Sequence, residues 1–165
     1  MLKVISSLSD IDFRQLMNVY EQTNCLTAKR EYPKLSENLQ ILYSEQDFYG
    51  FLELFFRTKN AEYCIWLVDG VYTSAVRVEP YQDGFILEAL ETALPERRKG
   101  YAKVLLQNVI VYLSSKGKGK LYSHVEKTNV ASLKLHQECG FCIIADEAIY
   151  IDGTYHMDSY TLCLE

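Results

Sequence analysis

The stretch FILEALETALPERRKGYAKVLL, residues Phe85–Leu106, indicates a buried strand, a basic turn with one glycine, and the first turns of an amphipathic helix. The first backbone N–H groups of a helix have no acceptor within it, and the positive end of the helix dipole lies at the same place. Arg97, Arg98 and Lys99 add positive charge, which opposes the dipole unless an anion binds there. The sequence therefore predicts an anion site suited to a pyrophosphate, with a solvated helix start as the alternative.

The composition describes a mildly acidic chain with enough apolar residues to form a core. Its 165 residues fit one domain, residues 1–165, and its 48% hydrophobic content argues against disorder. The net charge of −5 argues against nucleic acid as a partner, so the basic turn is a local site. Neither a signal peptide nor a run of about 18 apolar residues is present, so we expect a cytoplasmic protein with no membrane partner.

Of the five cysteines, only Cys139 and Cys142 are closely spaced. A Cys-x-x-Cys pair can bind zinc or perform redox chemistry, but no second pair follows, and this one spans the turn at Gly140-Phe141. Small buried thiols in a reducing compartment explain the pattern better, so we expect no metal.

The N-terminal third predicts one strand followed by helices. Leu2–Ser6 alternates as a strand, and Ser9 is placed to cap the first helix. Cys25–Leu35 is predicted to be a polar loop. A helical pattern then runs from Ser36 to about Arg57, and the sequence leaves open whether it forms one helix or two.

The rest of the chain predicts a mixed sheet. Three strands joined by short turns form an antiparallel meander, and after a helix the next strand must return parallel to the third. The predicted strands are Ala61–Val68, Val71–Glu79, Phe85–Ala93, Lys120–Glu126, Phe141–Ile151 and Thr154–Leu164, the last two around the hairpin turn Asp152-Gly153. Asn129 is predicted to cap the helix before the final pair. The fold class is α+β.

Two motifs in this framework resemble those of the GNAT superfamily of N-acetyltransferases. Arg97–Ala102 fits the pattern Q/R-x-x-G-x-G/A, and Asn129 followed by Ser132–Phe141 is similar to the second signature, an asparagine before a helix that ends in Gly-Phe. The order of elements agrees over essentially the whole chain. The resemblance implies a three-layer fold with a mixed, mostly antiparallel central sheet and helices on both faces.

The resemblance also implies acetyl-CoA as the co-substrate. Members of the family bind its pyrophosphate with the backbone amides of the turn, and its pantetheine arm lies where two parallel strands separate. Small residues at Gly100 and Ala102 leave room for phosphate to approach the backbone. The cofactor-binding residues implied in this way are Thr92, Ala93, Leu94, Arg97, Arg98, Lys99, Gly100, Tyr101, Ala102, Lys103 and Asn129.

By the same resemblance, the chain is expected to transfer an acetyl group directly to a primary amine of a small molecule or peptide. His136 stands where the family usually has the tyrosine that protonates the departing thiolate, and an imidazole can also act as an acid. Glu88 and Glu91 are candidate bases, although in a regular strand they face opposite ways unless a bulge intervenes. Candidates for the acceptor pocket are Tyr32, Tyr150, Tyr155 and His156.

Two alternatives remain open at this stage. The missing tyrosine is compatible with an inactive acyl-CoA-binding module, and His136 can be read as an ordinary polar helix residue. The sequence also leaves a homodimer open.

Overall fold

The computed structural model describes residues 1–117 and 119–165. Two short 3₁₀ turns, Leu8–Asp10 and Leu94–Glu96, accompany the regular elements. In chain order these are β1 (Leu2–Ile5), α1 (Phe13–Val19), α2 (Glu21–Glu31), α3 (Glu37–Phe55), β2 (Glu62–Val68), β3 (Val71–Tyr81), β4 (Gly84–Thr92), α4 (Tyr101–Ser115), β5 (Lys120–Glu126), α5 (Val130–Glu138), β6 (Cys142–Ala145), β7 (Ala148–Ile149), β8 (Tyr155–His156) and β9 (Ser159–Leu164).

Seven strands form one sheet in the order β1-β2-β3-β4-β5-β9-β6. Neighbouring strands are antiparallel except β4 and β5, which run parallel. Helix α4 makes the crossover between these two strands, because parallel neighbours cannot be joined by a tight turn. The predicted α+β class, the mostly antiparallel sheet and the parallel return are confirmed.

The sheet buries a different core on each face because side chains alternate along its strands. On one face, Cys64 of β2 and Val76 of β3 pack with α4 residues such as Leu105 and Val109. On the other face, Tyr63 and Ile65 of β2 pack with residues of α1 and α3. This second core includes Ile5, Leu16, Leu52, Phe55 and Ala75. Helices α1 and α3 therefore lie on this second face, and Tyr20 at the end of α1 contacts β4.

The first helix begins later than predicted. Asp12, not Ser9, is the N-cap of α1, and its Oδ1 accepts a hydrogen bond from the backbone N–H of Gln15 at 3.0 Å. Ser9 lies in the preceding 3₁₀ turn, where its hydroxyl is 2.9 Å from that of Ser7. The predicted cap was wrong. Ser9 and Asp12 are both capping residue types three positions apart, and it is Asp12 that accepts the hydrogen bond from the first turn of α1.

The predicted loop Cys25–Leu35 was also wrong over most of its length, since α2 continues to Glu31. Its sequence has little helical apolar periodicity, so the helix depends on its contact with α3. Ala28 is buried there, and the Gln40 side chain of α3 donates to the carbonyls of Tyr32 and Leu35, both at 3.0 Å. Helix α3 is continuous over 19 residues, which answers the question of one helix or two.

The C-terminal strands are more broken than predicted. β6 and β9 join the main sheet, whereas β7 and β8 form a separate hairpin around Asp152-Gly153. Gly153 has φ 83°, a left-handed conformation that the turn requires and that glycine adopts without strain. The Tyr81 hydroxyl donates to the carbonyl of Ile149 at 2.7 Å and ties this hairpin to β3. Within the described residues, no helix is both long and apolar enough to cross a membrane.

Candidate active site

A β-bulge in β4 shapes the central cleft. Arg77 of β3 lies opposite Glu88, and Ala75 lies opposite Glu91, so two β4 residues stand where β3 has one. Ala89 takes up the extra length with φ 52°, and the buried Tyr20 hydroxyl donates to its carbonyl at 2.7 Å. Residues paired across an antiparallel ladder share a face, so the bulge brings both glutamates to the side of the sheet that faces α1–α3.

Beyond the bulge, β4 and β5 separate. Their pairing ends at Leu87 and Ser123, although β4 continues to Thr92 and β5 to Glu126. The gap is a cavity of about 640 Å³. Its lining includes Leu87, Ala89, Leu90, Glu91, Thr92, Arg97, His124, Asn129, His136 and Tyr150. Backbone groups of β4 that have lost their strand partner are available here to an extended ligand.

A second cavity, of about 320 Å³, opens at the N-terminus of α4. Gly100 is the N-cap, with φ 84° and no side-chain cap, and a Cβ built there would meet no atom within 4 Å. The other lining residues include Glu96, Arg98, Tyr101, Ala102, Lys103, Lys134 and Glu138. Thr92, Arg98 and Ala102 border both cavities, so one ligand can extend from the helix end into the strand gap.

The basic residues of the turn differ in their partners. The Arg97 side chain donates to the carbonyl of Thr92 at 3.0 Å and lies 3.7 Å from Glu91. Lys99 pairs with Glu96 at 3.0 Å, and Lys103 pairs with Glu138 at 2.8 Å. Within residues 1–117 and 119–165, the Arg98 side chain has no hydrogen bond or ion pair, which leaves its charge available to an anion.

Most of the predicted cofactor-binding residues line these two cavities, whereas Ala93, Leu94 and Lys99 line neither. The chain leaves the gap after Thr92, because the Ala93 N–H donates to the carbonyl of Thr73 and Leu94 begins a 3₁₀ turn. Leu87, Ala89 and Leu90 take their place, and the sequence analysis missed them because it could not locate the bulge.

His136 lies on the inner face of α5, only 2% exposed. Its Nδ1 is 2.8 Å from the Ser132 carbonyl oxygen, which can only accept, so Nδ1 carries the hydrogen. Nε2 is buried and has no partner among the described residues. Burial lowers the pKa of His136, which favours the neutral ring with a free lone pair on Nε2.

The two glutamates are partly buried at the α1–α3 side of the gap. Burial raises the pKa of Glu88 and of Glu91. Arg77 donates to Oε2 of Glu88 at 3.2 Å, and the Thr23 hydroxyl donates to Oε1 of Glu91. The remaining oxygens, Oε1 of Glu88 and Oε2 of Glu91, accept no hydrogen bond from any described residue.

His124 was not among the residues predicted from the sequence, and it lies beside Glu88. Its side chain is 1% exposed, and its Nδ1 is 3.9 Å from Oε1 of Glu88. Neither ring nitrogen has a hydrogen-bond partner in the described part of the chain. Burial, with a smaller effect of His156, lowers the pKa of His124 to about 4. The available signal was a lone histidine within the predicted strand Lys120–Glu126, next to the strand of the basic turn.

The profile of the acetyltransferase (GNAT) family matches residues 24–141. The chain belongs to this family. It is therefore an acyltransferase, and the family resemblance seen in the two motifs is confirmed. A comparison with curated proteins finds no match.

Solved GNAT structures share this fold at low sequence identity. The ribosomal-protein-alanine N-acetyltransferase of Brucella melitensis is 16% identical with TM-score 0.67, over 98% of both chains. The PaiA N-acetyltransferase of Thermoplasma acidophilum, in complex with coenzyme A, is 12% identical with TM-score 0.65, over 100% of this chain and 99% of that one. A GNAT acetyltransferase of Elizabethkingia anophelis with acetyl-CoA bound is 14% identical with TM-score 0.63, over 100% and 97%.

The predicted acceptor residues of this GNAT chain are dispersed. Tyr150 lines the larger cavity, and the His156 ring packs against it in a tilted contact with centroids 4.6 Å apart. Tyr155 is exposed on the same hairpin. Tyr32 lines neither cavity, since its hydroxyl donates to Asp47 of α3.

The cysteines of this acetyltransferase are all free thiols, and Cys142 lies opposite Cys163 in the β6–β9 ladder. Among the described residues, no group of three or more His, Cys, Asp and Glu side chains is placed to hold a metal ion.

Proposed function

We propose that this protein transfers the acetyl group of acetyl-CoA to a primary amine of a small molecule or peptide by direct attack in a ternary complex. The observation that carries the proposal is the continuity of two spaces, an anion-sized cradle at the start of α4 and the gap between β4 and β5. This shape matches a ligand that has a charged pyrophosphate at one end and an extended arm. The solved relatives with coenzyme A or acetyl-CoA bound support the assignment.

The turn supplies the phosphate contacts. The N–H groups of Gly100, Tyr101 and Ala102 lack an acceptor within α4, and the helix dipole places positive potential at the same point. Arg98, which has no partner in the described part of the chain, adds a guanidinium beside them. The β4 backbone from Ala89 to Thr92, which no longer pairs with β5, then lies along the path of the arm toward the acceptor side.

Two carboxylates lie at the acceptor end of the gap. Glu91 lines it, and Glu88 lies behind it on the same face of the sheet. Each has an arginine partner, Arg97 for Glu91 and Arg77 for Glu88, and each keeps one oxygen that accepts no hydrogen bond from a described residue. Such oxygens can bind an ammonium group, which agrees with the acidic net charge of the chain. A protonated primary amine is therefore the substrate class that this end of the cleft fits.

His136 is placed to handle the proton of the leaving group. Because its neutral form has the lone pair on Nε2, it must first accept a proton before it can donate one. Nε2 can take the proton that the nitrogen loses as the amide forms, and deliver it to the departing sulfur. A backbone N–H of β4 near the bulge would meet the negative charge that develops on the acyl oxygen.

Calorimetry with coenzyme A, together with thiol release from acetyl-CoA across a panel of primary amines and peptides, tests this proposal. In Gly100→Val, a branched side chain fills the cradle and a left-handed φ is strained, so coenzyme A binding should be lost. Gly70→Val is the matched control, because Gly70 also has a positive φ, of 79°, and open space, but lies in the β2–β3 turn.

Binding that Gly100→Val retains would contradict the pyrophosphate assignment. Tight coenzyme A binding by the unaltered protein without turnover of any amine would favour the acyl-CoA-binding module instead.

A further inference from the structure

We propose that His124 is the catalytic base that takes the proton from the acceptor's ammonium group, with Glu88 as the residue that positions its ring. This inference rests on the proposed acetyl transfer and adds a residue to it.

The hydrogen bonding of His124 differs from that of an ordinary structural histidine. A buried polar atom without a partner costs roughly 1–3 kcal/mol, so a structural histidine in a core is normally satisfied. His124 is 1% exposed, yet neither nitrogen has a hydrogen-bond partner among the described residues. The ring also lines the strand gap, so the missing partner can come from a ligand in the cleft.

Glu88 stands where a positioning carboxylate is needed. Its Oε1 is also without a hydrogen bond in the described chain, and it lies 3.9 Å from Nδ1 of His124. Oε2 is held by Arg77, whose guanidinium stacks on the Phe51 ring 4.6 Å away. A shift of about 1 Å would join Oε1 to Nδ1–H and leave the lone pair on Nε2, and the same carboxylate would stabilise the imidazolium.

The surroundings of the ring keep it neutral before the acceptor binds. Burial lowers the pKa of His124, and the titratable groups packed around it are Glu88 on β4, Tyr81 on β3, and Tyr150 and His156 on the β7–β8 hairpin. The tyrosine rings contribute apolar faces, with centroids 5.5 Å and 4.8 Å from that of the imidazole. A neutral ring is the form that accepts a proton.

Glu91 is less suited to the same task. Although burial raises the pKa of Glu91, its Oε1 already accepts a hydrogen bond from Thr23 and its Oε2 lies 3.7 Å from the Arg97 guanidinium, so each oxygen already faces a donor or a cation. Glu91 attracts the ammonium, whereas His124 is the neutral acceptor with an unused lone pair.

The ammonium group gives one proton to Nε2 of His124, and the freed nitrogen lone pair forms a bond to the acyl carbon. The carbon–sulfur bond then breaks, and its electron pair leaves with the sulfur. The nitrogen loses a second proton, which goes to that sulfur by way of His136, and His124 releases its proton to solvent.

The test compares kcat/KM of the unaltered protein and His124→Gln from pH 7 to 9, using the primary amine of the panel with the highest turnover. Removing a general base typically costs about 10²–10⁴-fold in rate, so a loss of that order is expected at pH 7. The variant depends on amine that is already deprotonated in solution. Its kcat/KM should therefore rise about tenfold per pH unit, because primary amines have pKa values near 10, while the unaltered protein changes less.

Two further variants keep the test valid if His124→Gln does not fold. Glu88→Gln should lower kcat with little change in KM and should also steepen the pH dependence. Glu79→Gln makes the same chemical change on β3 outside both cavities, and should leave the rate and the pH profile as they are.

If kcat/KM of His124→Gln stays within about threefold of the original, or falls by the same fraction at every pH, His124 is not the base. Equal rates and pH profiles for Glu88→Gln and Glu79→Gln would overturn the role of Glu88. If the unaltered protein turns over no amine at all, the acetyl-transfer proposal fails, and this inference fails with it.

Discussion

Individual side chains in the basic turn have different roles although they are adjacent in sequence. Arg97 is turned inward, to the carbonyl of Thr92 and toward Glu91, and Lys99 is neutralised by Glu96. Arg98, with φ 66°, borders both cavities without a partner in the described chain. A pyrophosphate bound as proposed would therefore meet mainly the charge of Arg98.

This difference predicts the outcome of two alanine substitutions. Arg98→Ala should weaken coenzyme A binding roughly tenfold or more, since a hydrogen bond to a charged group contributes about 1.5–3 kcal/mol. Lys99→Ala removes the same formal charge from the same turn and should change the affinity by less than about threefold. Isothermal titration calorimetry at low and moderate salt measures both, and equal losses would contradict the assignment.

At the scale of elements, the ends of helices and the bulge of one strand decide the geometry of the site. α5 begins at Asn129, whose side chain accepts from the N–H of Ser132 at 3.1 Å, as predicted. α1 begins after Asp12 and delivers Tyr20 to the carbonyl of Ala89. The cap of α1 therefore helps to place the residue that holds the bulge.

Substitutions at the two candidate caps of α1 should have unequal effects. Asp12→Ala removes a side-chain hydrogen bond to the helix N-terminus and should lower the free energy of unfolding by about 1 kcal/mol. Ser9→Ala removes an exposed hydroxyl from the preceding turn and should change it by less than about 0.5 kcal/mol. Urea denaturation measures both values, and a larger loss for Ser9→Ala would restore the original interpretation.

At the scale of the whole molecule, one sheet separates two cores and is opened between β4 and β5. The opening leaves the side chains of His124 and His136 buried along one cleft, and Nε2 of each ring has no hydrogen-bond partner among the described residues. Burial lowers the pKa of both relative to the unfolded chain, so acid affects the folded and unfolded states differently.

The sign of the resulting pH dependence follows from proton binding. Between about pH 4 and 6.5 the unfolded chain binds more protons at His124 than the folded protein does, so this contribution to stability is complete above pH 6.5 and declines as the pH falls. His136 acts in the same direction. The raised pKa values of Glu79, Glu88 and Glu91 act in the opposite direction.

Comparison with single variants isolates the histidine effect. The difference in free energy of unfolding between the unaltered protein and His124→Gln, or His136→Gln, should shift against the unaltered protein as the pH is lowered from 7 to 5. Urea titrations at several pH values provide this measurement. A difference that is constant with pH would show that the histidines titrate alike in both states.

Much of the site could be predicted because its signals are local. The strand Lys120–Glu126, the Asn129 cap and the Gly100 turn each depend on residues within one or two turns of chain, and all three appear as predicted. The helix α2 and the broken strands β6–β9 could not be predicted in this way. Their backbone hydrogen bonds are stabilised by packing against distant segments, which overrides weak local preference.

The sequence by itself determined the order of the elements from β2 to α5, the parallel return of β5, and the glycine turn at the start of α4, because turn chemistry and side-chain periodicity act over a few residues. Only the tertiary structure decided that Glu88 and Glu91 share a face, since that depends on a register shift between β3 and β4. It also decided that His124, within the strand Lys120–Glu126, would face Glu88 across the opened gap. Such pairings join residues far apart in the chain, and no local pattern encodes them.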